Sequence, residues 1–368
     1  MSYLGENGLF SFRDGYCEVL PAKKFDTASA ADFGRKVSVH FKRFAIGCGR
    51  ENLRHIVYSL CAGIAECGKD VFLCENTEIP PFKYGFPLTG ADCGIFVAEN
   101  RIFFFGKRGF PVNSEKLTSV MAQQKAADSE KCGRIIHVSS FERIYLNSIT
   151  DEPDKSGLPL SAGISCGNRG IRKLWHEIFS DEDDSLIFQI SDTGERVNAY
   201  STEHGFISFD RLILAYSIMN LKAGQDILWL PDKFHFAAER TAAEHGLLLK
   251  RFDADKEIPE EASEQRFLTD CLYMCAGLAS DREKFFSILN SVPKITSAKR
   301  DIACPENCCV PLDKPVLEPE GRVFITRSGK NRLSLIAQAY DTETAAELCA
   351  QWNEKLRILS SCSRPERN

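Results

Sequence analysis

The chain of 368 residues has no apolar run approaching the ~20 residues that a membrane-crossing helix needs, so a membrane protein built on such helices is excluded. It also lacks a basic excess: Lys and Arg number 46 against 51 Asp and Glu, a formal net charge of -5. Proteins that read a nucleic-acid backbone carry a basic stripe to displace counterions, so nucleic acid is not an expected partner. Histidines are few. His40, His55, His137, His176, His204, His235 and His245 fall without HxxxH or HExxH spacing, which removes the zinc-protease pattern. GxxxxGK[ST] does not occur, and Gly163, Gly167 and Gly170 do not make the dinucleotide fingerprint, so they read as a tight strand-to-helix turn. There is no repeat at a fixed period and no low-complexity tract. The opening MSYLGENGLFSFRDGYC has no basic stretch leading into an apolar core, and the expected location is the cytoplasm.

Cysteine is the residue in surplus. There are 15, an odd number, scattered through apolar helical and strand-like stretches, which suits reduced buried thiols in a reducing compartment. Cys304, Cys308 and Cys309 cluster in ACPENCCVP, and Cys271 and Cys275 share a helix face. Neither spacing supplies the paired CxxC or Cys/His sets of a structural zinc site.

Length favours two or three domains, because compact domains usually run ~100 to 200 residues. The local patterns alternate. Residues 32–44 read as a helix entering a strand, and residues 51–68 as a helix closed by Gly68 at a C-cap position. Residues 70–74 have the uninterrupted apolar look of a strand covered on both faces. Residues 94–98 and 102–105 are strand-like runs joined by the short hairpin Glu99-Asn100-Arg101. Residues 158–166 lead as a strand into the helix GNRGIRKLWHEIF. A third unit runs from LIFQI through a hairpin at residues 203–205, the helix SFDRLILAYSIMN, the strand DILWLP and the helix FAAERTAAEHG. A further helix leads to SVPKI. The proline-rich CVPLDKPVLEPEGR reads as a linker to a small C-terminal α+β unit made of RVFITRSG, RLSLIAQAY and the helix TETAAELCAQWNEKL.

That order of elements, and the sequences within it, resembles the phosphohexomutases, the phosphoglucomutase and phosphomannomutase superfamily. GLFSFRDG is similar to the family's FGTSGIRG, residues 45–109 to its first domain, and RSGKNRLSLIAQAYDTETAAELC to its terminal RPSGTEPKLRVYVEA and following helix. The resemblance implies an α/β chain of tandem domains. These are domain I over 1–148, a remnant of domain II over 149–182, a domain III-like unit over 183–309, and a C-terminal α+β domain of the TATA-binding-protein-like sort over 310–368. Much of domain II is missing from the pattern.

The resemblance also marks what this chain lacks. Family members carry a phosphoserine in a T-A-S-H-N-P loop, which passes its phosphoryl group to the sugar phosphate. Here Val97-Ala98-Glu99-Asn100 falls at that place and the loop is excised, leaving no hydroxyl to accept a phosphoryl group. Glu99 reads either as part of a plain polar turn or as a carboxylate standing in for the phosphoserine charge. The family's metal loop D-G-D-A-D-R is matched by Ser191-Asp192-Thr193-Gly194-Glu195-Arg196, so its three metal positions become Ser191, Thr193 and Glu195. One anionic oxygen is a poor set for a hard dication, and no metal is expected; a one-residue slip would recruit Asp192 and keeps magnesium as the alternative.

The family's sugar-reading GEESGH loop is echoed only by Glu260 and Glu261, which read as a solvated charge run. The phosphate-gripping loop fares better. Arg327, Ser328, Gly329, Lys330 and Arg332 stand where the family has R-P-S-G-T-E-P, and Arg13 matches the arginine of GTSGIRG; guanidinium forks suit phosphate, although an ordinary basic hairpin has the same composition. The resemblance thus implies a catalytically inactive phosphohexomutase-like protein kept to bind a phosphosugar, another small anion or a protein partner. The alternatives are an active isomerase with altered site residues and a purely structural assembly module.

Overall fold

A computed structural model describes residues 10–13, 15–19, 25–106, 109–112, 117, 131–150, 160–179, 183–220, 227–232, 234–253, 258–294, 296–303, 315–329 and 332–362. The architecture is mixed α/β, as expected. The chain divides into two compact units: one holds Leu4–Phe209 with Ser263–Arg282, the other Asp210–Ala262 with Glu283–Asn368.

The first unit is built on a seven-stranded sheet whose order is β1-β2-β6-β5-β3-β4-β7. Its strands are β1 (Phe10–Arg13), β2 (Tyr16–Val19), β3 (Arg43–Cys48), β4 (Asp70–Glu75), β5 (Cys93–Val97), β6 (Arg101–Gly106) and β7 (Ile135–His137). β5, β3, β4 and β7 run parallel, whereas β6, β2 and β1 continue the sheet antiparallel. The central strands are apolar on both sides, with Phe44, Ile46, Val71, Leu73, Ile95 and Val97 on one face and Ala45, Cys74 and Phe96 on the other, because helices cover both faces.

On one face lie α1 (Thr27–Val37) and α2 (Arg54–Glu66), which bury Phe33, Val37, Val57, Leu60 and Ile64 against the sheet. They approach so closely that a Cβ on Gly63 would overlap the Ala31 carbonyl. On the other face α3 (Ile79–Gly85) brings Phe82 into an aromatic cluster with Phe86, Phe96 and Phe105. The helix α4 (Glu142–Thr150) follows β7.

A second sheet of the same unit has the order β11-β10-β9-β8, from β8 (Gly163–Ser165), β9 (Leu186–Ile190), β10 (Val197–Ser201) and β11 (Gly205–Ile207). Its buried face is sealed by Trp175 of α5 (Arg169–Ile178), whose ring lies 5.6 Å from that of Phe188. Arg282 binds the Asp183 carboxylate at 2.6 Å, and that carboxylate also accepts the Ser185 N–H at 2.8 Å. The Ser185 donors and Arg282 together hold the Asp183 carboxyl down to about 2. The helix α9, following the short α8 (Glu260–Ser263), spans Cys271–Ser280 and is capped by Asp270, which also accepts the buried Tyr145 hydroxyl at 2.8 Å.

The other unit holds α6 (Phe209–Met219), the parallel pair β12 (Ile227–Pro231) and β13 (Leu248–Phe252), α7 (Ala237–Glu244), and α10 (Arg282–Ser291). It ends in an antiparallel sheet, β14-β17-β16-β15, from β14 (Thr296–Ala303), β15 (Val316–Glu318), β16 (Gly321–Gly329) and β17 (Arg332–Ala339). The long α11 (Thr342–Cys362) lays Leu348, Trp352 and Leu356 on that sheet. The stretch expected as a linker contributes β15, whose Val316 pairs with Val323, so the chain forms a ladder where proline content alone suggested extended coil. Most described cysteines are buried, and burial pushes the Cys74 thiol up to about 12, out of reach of ionisation near neutrality.

Candidate functional site

The parallel strands β5, β3 and β4 end on the same side, and the chain leaves β3 toward β4 but reaches β5 on β3's opposite flank. That reversal of direction opens a crevice beyond the carboxyl ends of β3 and β5, the place where open α/β sheets hold ligands. A cleft of about 880 Å³ occupies it, lined by Gly49 and Arg50 after β3, Glu78 before α3, Glu99 and Asn100 after β5, and Asn168, Asp192 and Thr193 from the second sheet's loops.

Register sets the pairing at its centre. Cys48 lies opposite Val97 in the β3–β5 ladder, so the residues two further on, Arg50 and Glu99, face each other and form an ion pair. Glu99 and Asn100 are the whole of a two-residue hairpin loop. Ala98 N–H bonds the Arg101 carbonyl at 2.8 Å, and Val19 N–H fastens the Asn100 carbonyl at 3.0 Å. Arg101, the cleft's other guanidinium, is held by Glu18 at 2.9 to 3.0 Å.

Asn168 joins three elements. Its Oδ1 accepts the N–H groups of Gly170 and Ile171, capping α5, while its Nδ2 donates to the Glu78 carboxylate at 3.0 Å and to the Asp192 carbonyl at 2.8 Å. A Cβ on Gly170 would overlap that same carboxylate, so the glycine admits Glu78 to the helix end. Burial pushes the Glu78 carboxyl upward from its ordinary value, against the Asn168 hydrogen bond and the Arg50 charge.

The residues matched to the family's metal loop form the turn between β9 and β10. Ser191 and Thr193 hydroxyls lie 3.2 Å apart, and the Ser191 hydroxyl accepts the Arg196 N–H at 3.1 Å. Glu195 turns its carboxylate to Lys83 at 3.1 Å, and the Arg196 side chain is exposed. Asp192 and Thr193 therefore share the cleft with Glu99, whereas Ser191 and Glu195 do not line it. A magnesium ion finds a poor fit. Two of its positions are neutral hydroxyls, the third, the carboxylate of Glu195, is committed to a lysine, and no group of three or more His, Cys, Asp or Glu that would hold a metal occurs among the described residues.

Of the basic residues matched to phosphate-gripping positions, Arg13 lies on β1, and Arg327, Ser328, Gly329 and Arg332 on the β16–β17 hairpin, where the register shifts between Arg327 and Gly329. The side chains of all five, and Lys330 entirely, lie outside the described residues. Glu260 and Glu261 are exposed on α8. Sequence reasoning passed over Arg50, Glu78, Asn168 and Lys83. Of these only Asn168 carried a local signal, as an N-cap residue before GIRKLW.

No protein-family model matches the chain. In sequence it is similar to a phosphoglucosamine mutase of Caldicellulosiruptor bescii, 26% identical over 140 residues, a match that spans 33% of this chain and only 31% of that relative. Its structure is similar to that of a phosphoglucomutase/phosphomannomutase family protein from Burkholderia thailandensis, with a TM-score of 0.68 and 15% identity over 97% of this chain and 98% of the other. A second likeness, TM-score 0.65 and 12% identity over 97% and 100% of the two chains, is to a phosphomannomutase-type protein of Thermus thermophilus. A third is the phosphoglucomutase parafusin of Paramecium, at TM-score 0.55 and 9% identity over 92% and 93%. The chain has the phosphohexomutase fold. Identities this low speak for the fold, and the site must be argued from its own residues.

Proposed function

We propose that this is a phosphohexomutase-like protein without mutase activity, retained in the cytoplasm to bind a phosphorylated sugar or another small anion, with a protein partner as a further use of the same scaffold. The observation that carries this reading is the Glu99 turn. Where the family resemblance places an acceptor serine, the chain has a two-residue hairpin whose carboxylate is bound to Arg50. A carboxylate in that place offers no hydroxyl for serine-type phosphoryl transfer, and Ser191 and Thr193 offer no charge to hold the metal that would assist it. The domain assignment from the resemblance, 1–148, 149–182, 183–309 and 310–368, belongs to the same reading. So does the expectation that Arg327, Ser328, Gly329, Lys330 and Arg332, with Arg13, grip the phosphate.

An active isomerase of altered residues would rest on Thr193, a hydroxyl-bearing residue among those that line the cleft. Coupled assays with glucose 1-phosphate, mannose 1-phosphate and glucosamine 6-phosphate, with and without magnesium, separate the two. The expected outcome is no turnover; a rate on the order of 1 per second, ordinary for an enzyme, abolished in Thr193→Val, would establish the alternative. Calorimetric titration of wild type and Arg327→Ala with the same sugar phosphates tests the binding part, which fails if neither protein gives heat.

A further inference from the structure

We infer that Glu99 is the built-in counter-ion of Arg50 in the switch-point cleft, a specificity residue that keeps phosphoryl groups off that guanidinium. The inference rests on the phosphosugar-binding reading above and says which part of such a ligand this cleft admits.

Among the described residues two cations line the cleft, and they are held differently. Arg101 makes two contacts with Glu18 and lies 5.1 Å from the Tyr16 ring, so it is fixed from both sides. Arg50 is bound to Glu99 alone among the described carboxylates, and the two side chains are 61% and 55% exposed. An ion pair so open to water is only marginally favourable and exchanges its partner readily. Its partner is nevertheless always present, because the two-residue loop and the Val19 bond to Asn100 hold Glu99 beside the guanidinium at a local concentration no free anion matches.

Glu78 and Asp192 add negative charge to the same walls. A phosphate monoester entering the cleft thus meets repulsion from Glu99 and finds Arg50 already neutralised, whereas uncharged sugar hydroxyls pay neither penalty. The part of a ligand that enters here is its uncharged part, and the selection against phosphate is concentrated in one side chain.

The test is a backbone-amide NMR titration of the full chain with inorganic phosphate, following Gly49, Arg50, Glu99 and Asn100. In wild type and Glu99→Asp, which keeps the charge, these amides are expected to stay still at millimolar phosphate. In Glu99→Gln, which keeps the size and the turn, they are expected to shift with a dissociation constant lower by on the order of tenfold. Adding Arg50→Gln to Glu99→Gln should cancel the gain. Shifts as large in wild type as in Glu99→Gln, no shift in Glu99→Gln, or a gain that survives loss of Arg50 would each overturn the inference. Amides of residues 327–332 report the hairpin in the same spectra, so failure of the broader anion-binding reading is seen separately from failure at Arg50.

Discussion

Asn168 and Glu78 meet across 90 residues of sequence, the amide donating to the carboxylate at 3.0 Å while its oxygen caps the helix that the carboxylate faces. One side chain therefore ties the start of α3, the start of α5 and the β9–β10 turn into a wall of the cleft. Asn168→Ala removes the cap and leaves a half-buried carboxylate without its donor. The expected loss is about 2 kcal/mol of unfolding free energy, within the range for a lost cap plus a lost hydrogen bond to a charged group. Urea denaturation measures it, and a change under about 0.5 kcal/mol would mean that water replaces the amide without cost.

Glu99→Ser is expected to create no mutase activity. It restores a hydroxyl at the position that the family resemblance marks, but the loop stays two residues long and Ser191 and Thr193 stay neutral. Catalytic constellations need all their members placed to within about half an ångström. Sugar-phosphate turnover by this single variant would show that the remaining groups are competent and that only the nucleophile is missing.

His235 gives the other unit a titration of its own. Its ring is fully buried, with Nε2 3.3 and 3.2 Å from the carbonyls of Thr296 and Ala339 and Nδ1 accepting the Ala237 N–H at 3.1 Å. Burial lowers its pKa to about 4; the carbonyls pull upward, and the nearby charges of Arg322 and Arg251 push further down. The unfolded chain protonates this histidine near 6.5 while the folded one resists until about 4. Stability is therefore full above 6.5 and falls as pH drops through that window, by about 3 kcal/mol in total. Asp183, held down to about 2, titrates below the window and does not obscure it. In His235→Gln the slope between pH 6.5 and 4 should flatten by that amount in pH-resolved denaturation; an unchanged slope would place the acid sensitivity elsewhere.

The elements that were legible in the sequence are those whose burial is uniform. β4 and β5 are apolar runs under helices on both faces, and Gly68, expected at a helix end, takes the left-handed backbone there with φ 75°. β14 was missed because Thr-Ser-Ala-Lys-Arg-Asp-Ile-Ala is polar, and of its side chains only Ile302 is buried. Its strand character comes from pairing with β17, from Ala303 opposite Arg332 to Thr296 opposite Ala339, a partner distant in sequence. The site divides in the same way. Glu99 and Thr193 were found through motif likeness, but Arg50 faces Glu99 only because β3 and β5 are neighbours in register, a fact of topology that no local pattern carries. Lys83 and Glu195, 112 residues apart, are the extreme case.

That pair yields the last prediction. The Lys83 side chain is 8% exposed, stands 5.1 Å from the Phe105 ring, and has Glu195 as its counter-ion at 3.1 Å. Breaking a buried pair by removing one partner strands the other charge, a cost of about 3 to 5 kcal/mol for fully buried pairs. Glu195 is 24% exposed, so Glu195→Gln is expected to cost less, about 2 kcal/mol. Lys83→Met should be milder, because it removes the buried charge itself and leaves a carboxylate that water can reach. The double variant should then recover most of what Glu195→Gln alone loses. The same experiment decides what Glu195 is for. If it serves Lys83, magnesium leaves the melting temperature of wild type unchanged and Glu195→Gln is destabilised with or without the ion. If it is a metal ligand instead, magnesium raises the melting temperature of wild type, the rise vanishes in Glu195→Gln, and Lys83→Met, having freed the carboxylate, binds the ion more tightly than wild type does.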